Sequence, residues 1–330
     1  MQSFETLSGQ FTRHFDQPHF PEQPASLYQP NEYFLKLGGK RIRPVLCLMG
    51  NELFDDIKED TWKVSSAIEL FHNFTLVHDD IIDNAPLRRG QPTLHEKFGK
   101  STALLAGDVM LVRAYEYLNS ISGKYVFSIN RLFNKTAKEV CEGQQLDIDF
   151  EKQDSVSFDQ YLKMIELKTS VLLAASLKMG SILGGAGERN QNLLYEFGKK
   201  LGLAFQVQDD YLDAFGDPDK FGKQVGGDIL ANKKTFLLIH TLENATASQK
   251  KELRKLLAGT AADKVENTIR IFKDCKVDEW ALELKNKFLD EAHVHLEDIA
   301  VLSRRKEPLK ELAGFLVACL PPGRSLVGSR

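Results

Sequence analysis

The chain has 330 residues, of which 42% are hydrophobic, and a formal net charge of −3. This length and apolar content suffice for a large buried core in one or two domains. Lysine and arginine are spread along the chain, so the composition argues against nucleic acid as a partner. The first 25 residues contain charges and prolines without a long apolar run, and no uncharged stretch reaches the roughly 18 residues that a membrane helix needs. We therefore expect a cytoplasmic protein without a signal peptide or transmembrane segment.

Helical periodicity is the main structural signal from Tyr28 onward, because apolar residues recur at spacings of three and four. Most prolines fall at predicted helix ends and turns, and no hairpin dipeptide separates alternating runs. No stretch rich in proline, glycine or serine separates the sequence into domains. The sequence therefore predicts one all-α domain over residues 1–330, with an N-terminal extension at 1–27 and a C-terminal tail at 306–330. Residues 241–305 are predicted to be charged helices without a functional motif.

Two copies of one carboxylate pattern, D-D-x-x-D, lie 130 residues apart. Their members are Asp79, Asp80 and Asp83 in the first copy and Asp209, Asp210 and Asp213 in the second. In a helix, the first and last carboxylates of each copy share a face, with the middle one beside them. Such groups repel one another unless cations lie between them, and hard oxygen ligands suit Mg²⁺. Both copies end apolar runs, unlike the solvated acidic turn at 55–60, so they favour a functional site over a chance pattern.

Basic residues lie close in sequence to both carboxylate copies. They are Lys40, Arg41 and Arg43 after a glycine pair, Arg88 and Arg89 after the first copy, Lys168 in mid-chain, and Lys223 and Lys233 after the second copy. Each alone is typical of a solvated surface charge. Arginine and lysine also bind phosphate oxygens, and Mg²⁺ bridges carboxylate to phosphate. Together the residues predict two diphosphate ligands, one held through metal and the other by cations directly.

Several segments match one known pattern, in the same order, along about 200 residues. They are GGKRIRP at 38–44, LVHDDIIDNAPLRRGQPT at 76–93, LLAGD at 104–108, EGQQLDI at 142–148, LKTSVLL at 167–173, FQVQDDYLDAFGD at 205–217 and DILANKK at 228–234. With these segments the chain resembles the trans-isoprenyl diphosphate synthases, the family of farnesyl and geranylgeranyl diphosphate synthases. The resemblance implies an all-α isoprenoid synthase bundle around a deep central cavity, a homodimer, and three Mg²⁺ ions per active site.

The resemblance also implies a role for each matched position. The implied metal ligands are Asp79, Asp80, Asp83, Asp147, Asp209, Asp210 and Asp213. The implied contacts to an allylic diphosphate are Arg88, Lys168, Lys223 and Lys233. The implied contacts to isopentenyl diphosphate are Lys40, Arg43, His72 and Arg89, and the polar residues near the reacting carbons are Thr169 and Gln206. By itself His72 is typical of a core histidine, and only the resemblance favours a phosphate contact. His78 is interpreted as packing beside the first motif.

The implied reaction is a 1′-4 head-to-tail condensation of isopentenyl diphosphate with an allylic diphosphate. Product length is expected to depend on Phe74 and Thr75, one turn before Asp79, with Phe71 one turn deeper as either a second floor or ordinary core. One turn rises about 5.4 Å, close to one isoprene unit. In the resembled family, an aromatic residue at only the farther position is associated with about twenty carbons. The sequence therefore favours geranylgeranyl diphosphate (C20) over farnesyl diphosphate (C15).

Two other functions fit part of this pattern. A class I terpene cyclase also ionises an allylic diphosphate with Mg²⁺ on a helical bundle, but it normally has one D-D-x-x-D and lacks the Gly-Gly-Lys-x-x-Arg element. A non-catalytic partner subunit of a prenyl synthase tends to lose one aspartate motif, whereas both are intact here. Incubation with isopentenyl diphosphate separates the three functions by elongation, cyclic hydrocarbon or inertness.

Overall fold

Helices make up nearly all the regular structure in the computed structural model, which describes residues 1–216, 225–259 and 263–318. The α-helices are α1 Phe4–Phe15, α2 Ala25–Lys36, α3 Ile42–Glu52, α4 Glu59–Ile82, α5 Leu94–Phe98, α6 Lys100–Asn119, α7 Gly123–Glu151, α8 Phe158–Ile165, α9 Val171–Leu183, α10 Glu188–Phe215, α11 Gly227–Leu230, α12 Phe236–Asn244, α13 Ala247–Ala258, α14 Lys264–Asp274, α15 Val277–Glu297 and α16 Ser303–Val317. The all-α prediction is confirmed. Among the described helices, none combines the length and apolar composition that crossing a bilayer requires.

The described residues contain one pair of short antiparallel strands, β1 Leu87–Arg88 and β2 Gln91–Pro92. The two residues between them, Arg89 and Gly90, have φ of 53° and 75°. Positive φ at both positions is typical of the tight turn that joins a two-residue hairpin. This hairpin was not expected from the sequence. It matters because it carries two of the arginines that the sequence singled out.

The described chain packs as two compact units. The first consists of Met1–Phe133 with Ser176–Asn192, and the second of Asn134–Ala175 with the residues from Leu193 onward. In the first unit α4 packs most extensively on α6 and α3, and in the second unit α14 packs on α11, α13 and α15. Each unit buries its own apolar side chains. The assignment of residues 1–330 to a single domain stays a prediction.

The helix α1 lies in the segment that the sequence analysis treated as an N-terminal extension. Phe4, Leu7, Phe11 and Phe15 recur at spacings of three and four, and all four are buried. α1 packs on α3 and α4. The N-terminal segment is therefore part of the core of the first unit, which the sequence analysis missed.

The helix α4 carries the first carboxylate copy at its C-terminal end. Glu59 in the first turn suits the positive end of the helix dipole. Asp79 and Asp80 lie in the last turn, and Asp83 is the C-cap, whose N–H donates to the Asp79 carbonyl (2.9 Å). Carboxylates at the negative end of a helix are unfavourable unless cations lie nearby. The position of this copy in α4 therefore calls for neighbouring positive charge.

A π-helical turn, Glu166–Ser170, joins α8 to α9 and carries Lys168 and Thr169. Single π turns of this kind occur frequently at functional sites. Two glycines lie against this turn. A Cβ at Gly143 of α7 would overlap the backbone of Lys168, and a Cβ at Gly202 of α10 would overlap Ser170. The two helices reach the π turn closely because both positions lack a side chain.

Candidate active site

The second unit contains a small polar cavity of about 130 Å³. Its wall includes seven residues that the sequence predicted for the site, namely Asp147, Lys168, Thr169, Gln206, Asp209, Asp210 and Lys233. They come from α7, the π turn, α10 and the segment after α11. The structure therefore brings together carboxylates and lysines that are far apart in the sequence. Lys223, which was assigned to the allylic diphosphate, lies outside the described residues.

Asp210 is the buried carboxylate of this cavity, with 5% of its surface exposed. It accepts hydrogen bonds from the Tyr161 hydroxyl and from Gln206 Nε2 (2.8 Å). Burial, and then the negative charges of Asp228 and Asp209, raise its pKa to about 8, although the two hydrogen bonds oppose the rise. A cation bound beside these carboxylates would relieve the repulsion.

The π turn places two of its side chains against the carboxylates and amides of the cavity. Lys168 Nζ pairs with Asp147 Oδ2 at 2.5 Å. Thr169 Oγ1 donates to Gln206 Oε1 (3.2 Å), while the amide nitrogen of Gln206 donates to Asp210. The amide of Gln206 is therefore oriented from both ends, so that Thr169 and Asp210 hold it in place.

Asp213 does not line this cavity. Its Oδ2 accepts from the backbone N–H of Asp228 (3.0 Å), and its carbonyl accepts from the N–H of Gly226 (2.7 Å). It therefore fixes the start of α11. Asp228 lines the cavity in its place and lies 3.5 Å from Lys233 Nζ, and burial raises the pKa of Asp228. A role for Asp213 as a metal ligand stays a prediction.

Four polar residues of the cavity wall were not predicted from the sequence, namely Tyr161, Asp228, Lys234 and Thr235. Asp228 and Lys234 belong to the segment 228–234, from which only Lys233 was assigned. Lys234 Nζ donates to the Phe150 carbonyl (2.9 Å). Tyr161 carries no signal in the sequence, because only the fold brings it to a carboxylate 49 residues away.

The first unit contains two arginine–carboxylate pairs close to the predicted substrate residues. Arg88 Nε and Nη2 hold the carboxylate of Asp80 at 2.7–3.0 Å, and Asp80 is 2% exposed. Arg41 pairs with Glu69 and is also buried. Each pair has little net charge, so neither arginine alone gives this region a positive potential.

Two further arginines of the first unit donate to neutral groups. Arg43 Nη1 donates to His72 Nε2 (3.1 Å), and Arg89 Nη1 donates to the carbonyl of Gly38. Burial first, and then the positive charges of Arg43 and Arg89, hold the pKa of His72 well below its ordinary value of 6.5. The imidazole is therefore neutral and accepts the hydrogen bond. The structure brings Arg43, His72 and Arg89 together, as the sequence predicted for one diphosphate.

The glycine pair before Lys40 has a backbone that other residues rarely adopt. Gly38 and Gly39 have φ of 77° and 145°. A Cβ at Gly39 would also lie 2.7 Å from Nη2 of Arg89. The glycines therefore shape the loop and leave room for the guanidinium. Lys40 follows directly and is exposed.

Arg43 has the character of an anion-binding group. Within the part of the chain that the structure describes, its buried Nε has no hydrogen-bond partner. Burial lowers the pKa of Arg43 to about 10, so the guanidinium is still charged at neutral pH. Buried charges are normally paired, and a guanidinium matches phosphate oxygens. The site therefore fits a diphosphate.

The candidate chain-length residues lie on α4 in an aromatic cluster. The rings of Phe71 and Phe74 are 5.7 Å apart, and Phe71 also packs edge-to-face on Phe133 at 5.1 Å. Phe71 is buried and Phe74 half-buried. Thr75 Oγ1 donates to the carbonyl of His72 (2.8 Å). Control of product length by these residues stays a prediction.

The carboxylates fit Mg²⁺ in their donor chemistry. The described residues contain no group of three or more His, Cys, Asp or Glu side chains placed to hold a metal ion. Mg²⁺ does not require one, because it usually takes one or two carboxylates and completes its shell with water and phosphate oxygens. Burial and then repulsion from Asp228 raise the pKa of Asp210, and a bound cation would relieve the repulsion.

The chain is similar to known proteins along most of its length. The family model described as polyprenyl synthetase matches residues 24–274. The short chain isoprenyl diphosphate synthase of Methanocaldococcus jannaschii is 38% identical over 257 residues, which are 77% of this chain and 78% of that protein. The geranylgeranyl pyrophosphate synthase of Geoglobus acetivorans is 38% identical over 300 residues, 90% of this chain and 92% of that protein. A crystal structure of geranylgeranyl pyrophosphate synthase has a TM-score of 0.91 and 40% identity, covering 96% of this chain and 99% of that one.

Proposed function

We propose that this chain, which belongs to the polyprenyl synthetase family, is a short-chain prenyltransferase. It joins isopentenyl diphosphate to an allylic diphosphate by a 1′-4 head-to-tail condensation. The allylic C1–O bond breaks, the double bond of isopentenyl diphosphate forms the new C–C bond, and a proton leaves. The product is a prenyl diphosphate of 15 to 20 carbons, with geranylgeranyl diphosphate favoured.

The observation that carries this proposal is the arrangement of charge in the first unit. Two arginines are paired with carboxylates, whereas Arg43 and Arg89 donate to neutral acceptors. His72 is kept neutral, so it orients Arg43 without adding charge. These residues, with the exposed Lys40, support a site for isopentenyl diphosphate.

The carboxylates and lysines support binding of the allylic diphosphate. The family resemblance assigns Mg²⁺, up to three ions, to Asp79, Asp80 and Asp83 of the first unit and, as a separate set of candidate ligands, to Asp147, Asp209, Asp210 and Asp213 of the second. When bound, the ions would supply positive charge to stabilise the departing diphosphate. Lys168, Lys233 and Arg88 are already placed beside carboxylates and exchange these partners for phosphate oxygens. Lys223 is assigned to the same task from the family resemblance.

The polar groups of the π turn suit the carbon centre that carries positive charge during the reaction. Thr169 and Gln206 present oxygen atoms and no ionised group that would trap a cation covalently. No side-chain nucleophile is needed. The departing diphosphate is the base that takes the proton, which balances the reaction without a further reactant.

Product length is assigned to α4. Phe74 presents a half-buried aromatic ring, and the next residue, Thr75, is small. In the family that the sequence resembles, an aromatic residue at only the farther of these two positions is associated with about twenty carbons. This supports a C20 product. Phe71 is packed in the aromatic cluster and is either a second floor below Phe74 or ordinary core.

We assign a homodimer to the working enzyme. Large apolar side chains are exposed on one stretch of α6, where Leu105 is 57% and Val112 58% exposed, and Phe127 at the start of α7 is 77% exposed. Exposed apolar groups of this size are typical of protein–protein contacts, and identical subunits usually pair through the same surface.

The proposed function predicts Mg²⁺-dependent elongation that needs both aspartate motifs. The protein is incubated with radiolabelled isopentenyl diphosphate, each allylic diphosphate from C5 to C15, and Mg²⁺ or EDTA, and products are separated by length. We expect linear C20 product with Mg²⁺ and none with EDTA. Asp79→Ala and Asp209→Ala should each lower kcat by several orders of magnitude while circular dichroism stays unchanged.

The matched control is Asp56→Ala, in the exposed acidic turn at 55–60. It should leave turnover unchanged. Near-normal turnover in Asp79→Ala or Asp209→Ala would contradict the assignment. A cyclic hydrocarbon from the wild type would indicate a terpene cyclase, and inertness without a second protein would indicate a partner subunit.

A further inference from the structure

The imidazole of His78 contacts both the ring of Phe74 and the neighbouring helix. The two rings meet edge-to-face with centroids 4.7 Å apart and an interplanar angle of 63°. His78 Nε2 donates to the carbonyl of Leu104 on α6 (3.2 Å), since a carbonyl can only accept. The same nitrogen is 3.7 Å from Asp108 Oδ1, and the side chain is 27% exposed. α6 therefore anchors the ring that packs against Phe74.

Gly107 lies on α6 beneath this imidazole. It is buried inside a regular helix, where glycine is less favourable than alanine. A Cβ at Gly107 would overlap His78 at Nε2 and Cδ2. The helical backbone does not require glycine at this position. The His78 ring occupies the space that a side chain at position 107 would fill.

Phe74 also meets the ring of Phe71, which belongs to a buried aromatic cluster. The ring of Phe71 lies 5.7 Å from that of Phe74, and Phe71 packs on Phe133, which packs on Tyr115 at 5.3 Å. Phe71 and Phe133 are each 1% exposed. Displacing buried rings disturbs close packing, whereas the partly exposed imidazole can shift. The position of the Phe74 ring therefore depends on where α6 holds His78.

We propose that His78 and Gly107 are positioning residues for product length. Gly107 makes room for the imidazole, and the imidazole fixes the Phe74 ring on which the growing prenyl chain ends. This inference rests on the proposed function and adds to it a second helix, so that the length of the product depends on α6 as well as α4. Neither residue contacts the substrate in this assignment. Both act through Phe74.

The test is a double-mutant cycle read out as the C20-to-C15 product ratio. Gly107→Ala pushes the imidazole off α6 toward Phe74, so the ratio should fall. His78→Ala removes the support of Phe74, so the ratio should rise, as it should in the reference variant Phe74→Ala. We expect changes of at least about twofold, the lower end of the coupling found between residues in contact. In the double variant the new methyl group occupies the space that the imidazole has left. The product ratio of the double variant should therefore equal that of His78→Ala.

Two further variants separate this role from general damage. His78→Phe keeps a ring beside Phe74 and loses the hydrogen bond, so its ratio should lie closer to the wild type than that of His78→Ala. Gly123→Ala is the matched glycine control, because nothing lies within 4 Å of its added Cβ. It should change neither the product ratio nor the rate at which isopentenyl diphosphate is consumed.

Each outcome decides the question. Unchanged ratios in both single variants, or independent effects that add in the double variant, overturn the inference. If Gly107→Ala does not fold, the double variant should fold because the overlapping ring is gone, and its failure to fold also overturns the inference. These failures leave elongation by the wild type intact. A wild type that consumes no isopentenyl diphosphate instead overturns the proposed function.

Discussion

The pKa of Asp210 is raised by burial and by the negative charges around it. Its pKa in the folded chain, about 8, is far above the ordinary 3.8, first through burial and then through Asp228. Between these values the folded chain holds a proton on this group that the unfolded chain has lost. The unfolded chain therefore binds fewer protons, and the free energy of unfolding contributed by Asp210 falls as the pH rises from about 4 to about 8.

Without Mg²⁺, we predict that Asp210→Asn becomes more stable relative to the wild type as the pH rises. The amide cannot ionise, so it avoids the growing penalty of a buried charge, which amounts to at most several kcal/mol. Urea unfolding of both proteins in EDTA at pH 5, 6.5 and 8 measures the difference. Asp56→Asn, at an exposed carboxylate, is the control and should show no such trend. A difference between Asp210→Asn and wild type that is independent of pH would contradict the raised pKa.

At the scale of elements, the π turn decides which way its side chains point. A π turn adds one residue to a helical turn and so rotates the side chains that follow. Lys168 thereby meets Asp147, and Thr169 meets Gln206. The turn is covered by Gly143 on one side and Gly202 on the other, each too close to the backbone for a Cβ. The geometry of the cavity is therefore set by packing against α7 and α10.

We predict that Gly143→Ala lowers both stability and use of the allylic substrate. The new Cβ meets backbone atoms of Leu167 and Lys168, which cannot move aside as a side chain can. Overpacking of this kind typically costs about 1–3 kcal/mol. Because Lys168 is assigned to the allylic diphosphate, KM for that substrate should rise more than KM for isopentenyl diphosphate. Denaturant unfolding and steady-state kinetics measure the two effects.

The matched control for Gly143→Ala is Gly314→Ala in α16, where nothing lies within 4 Å of the added Cβ. Gly314 is at an exposed position of this helix, so the change removes the flexibility of glycine without adding a contact. It should leave activity unchanged and raise the free energy of unfolding by about 0.5–1 kcal/mol. If Gly143→Ala is as stable as the wild type, α7 does not approach the π turn so closely.

At the scale of elements, the spacing of apolar residues predicted helices well where the helical pattern extends over several turns. The carboxylates of α4 and α10 were placed correctly on helices, because a helical pattern precedes each motif. The π turn was not predictable, since the segment 166–170 has the sequence pattern of an ordinary helix and the glycines that lie against it are distant in the sequence. The helix α1 was missed although Phe4, Leu7, Phe11 and Phe15 carry the pattern.

At the scale of the whole chain, the sequence predicted which residues belong to the site better than it predicted which of them contact one another. Arg43, His72 and Arg89 were assigned together and the structure brings them together. Their pairing was not predictable, because it depends on how three separate segments pack. Tyr161 was missed for the same reason, as no local pattern marks a residue that reaches its partner only through the fold.

The proposed homodimer yields the last prediction. Leu105 and Val112 are seven residues apart on α6, so they share a face, and both are more than half exposed. If a second copy covers this face, each side chain, which is already partly buried, contributes roughly half of the about 1.5–3 kcal/mol that full burial provides. A buried unpaired carboxylate is strongly unfavourable. We therefore predict that the wild type elutes as a dimer and that Val112→Glu elutes mainly as a monomer, measured by size-exclusion chromatography with light scattering at micromolar concentration.

The control for this prediction is Val294→Glu on α15, where the side chain is 61% exposed in the second unit. The two variants add the same charge to equally exposed valines, so a general effect of charge or solubility would change both alike. Only a subunit contact at α6 makes Val112→Glu monomeric while Val294→Glu stays dimeric. A monomeric wild type, or a dimer that survives Val112→Glu, would show that α6 does not form the subunit contact and that its exposed apolar residues need another explanation.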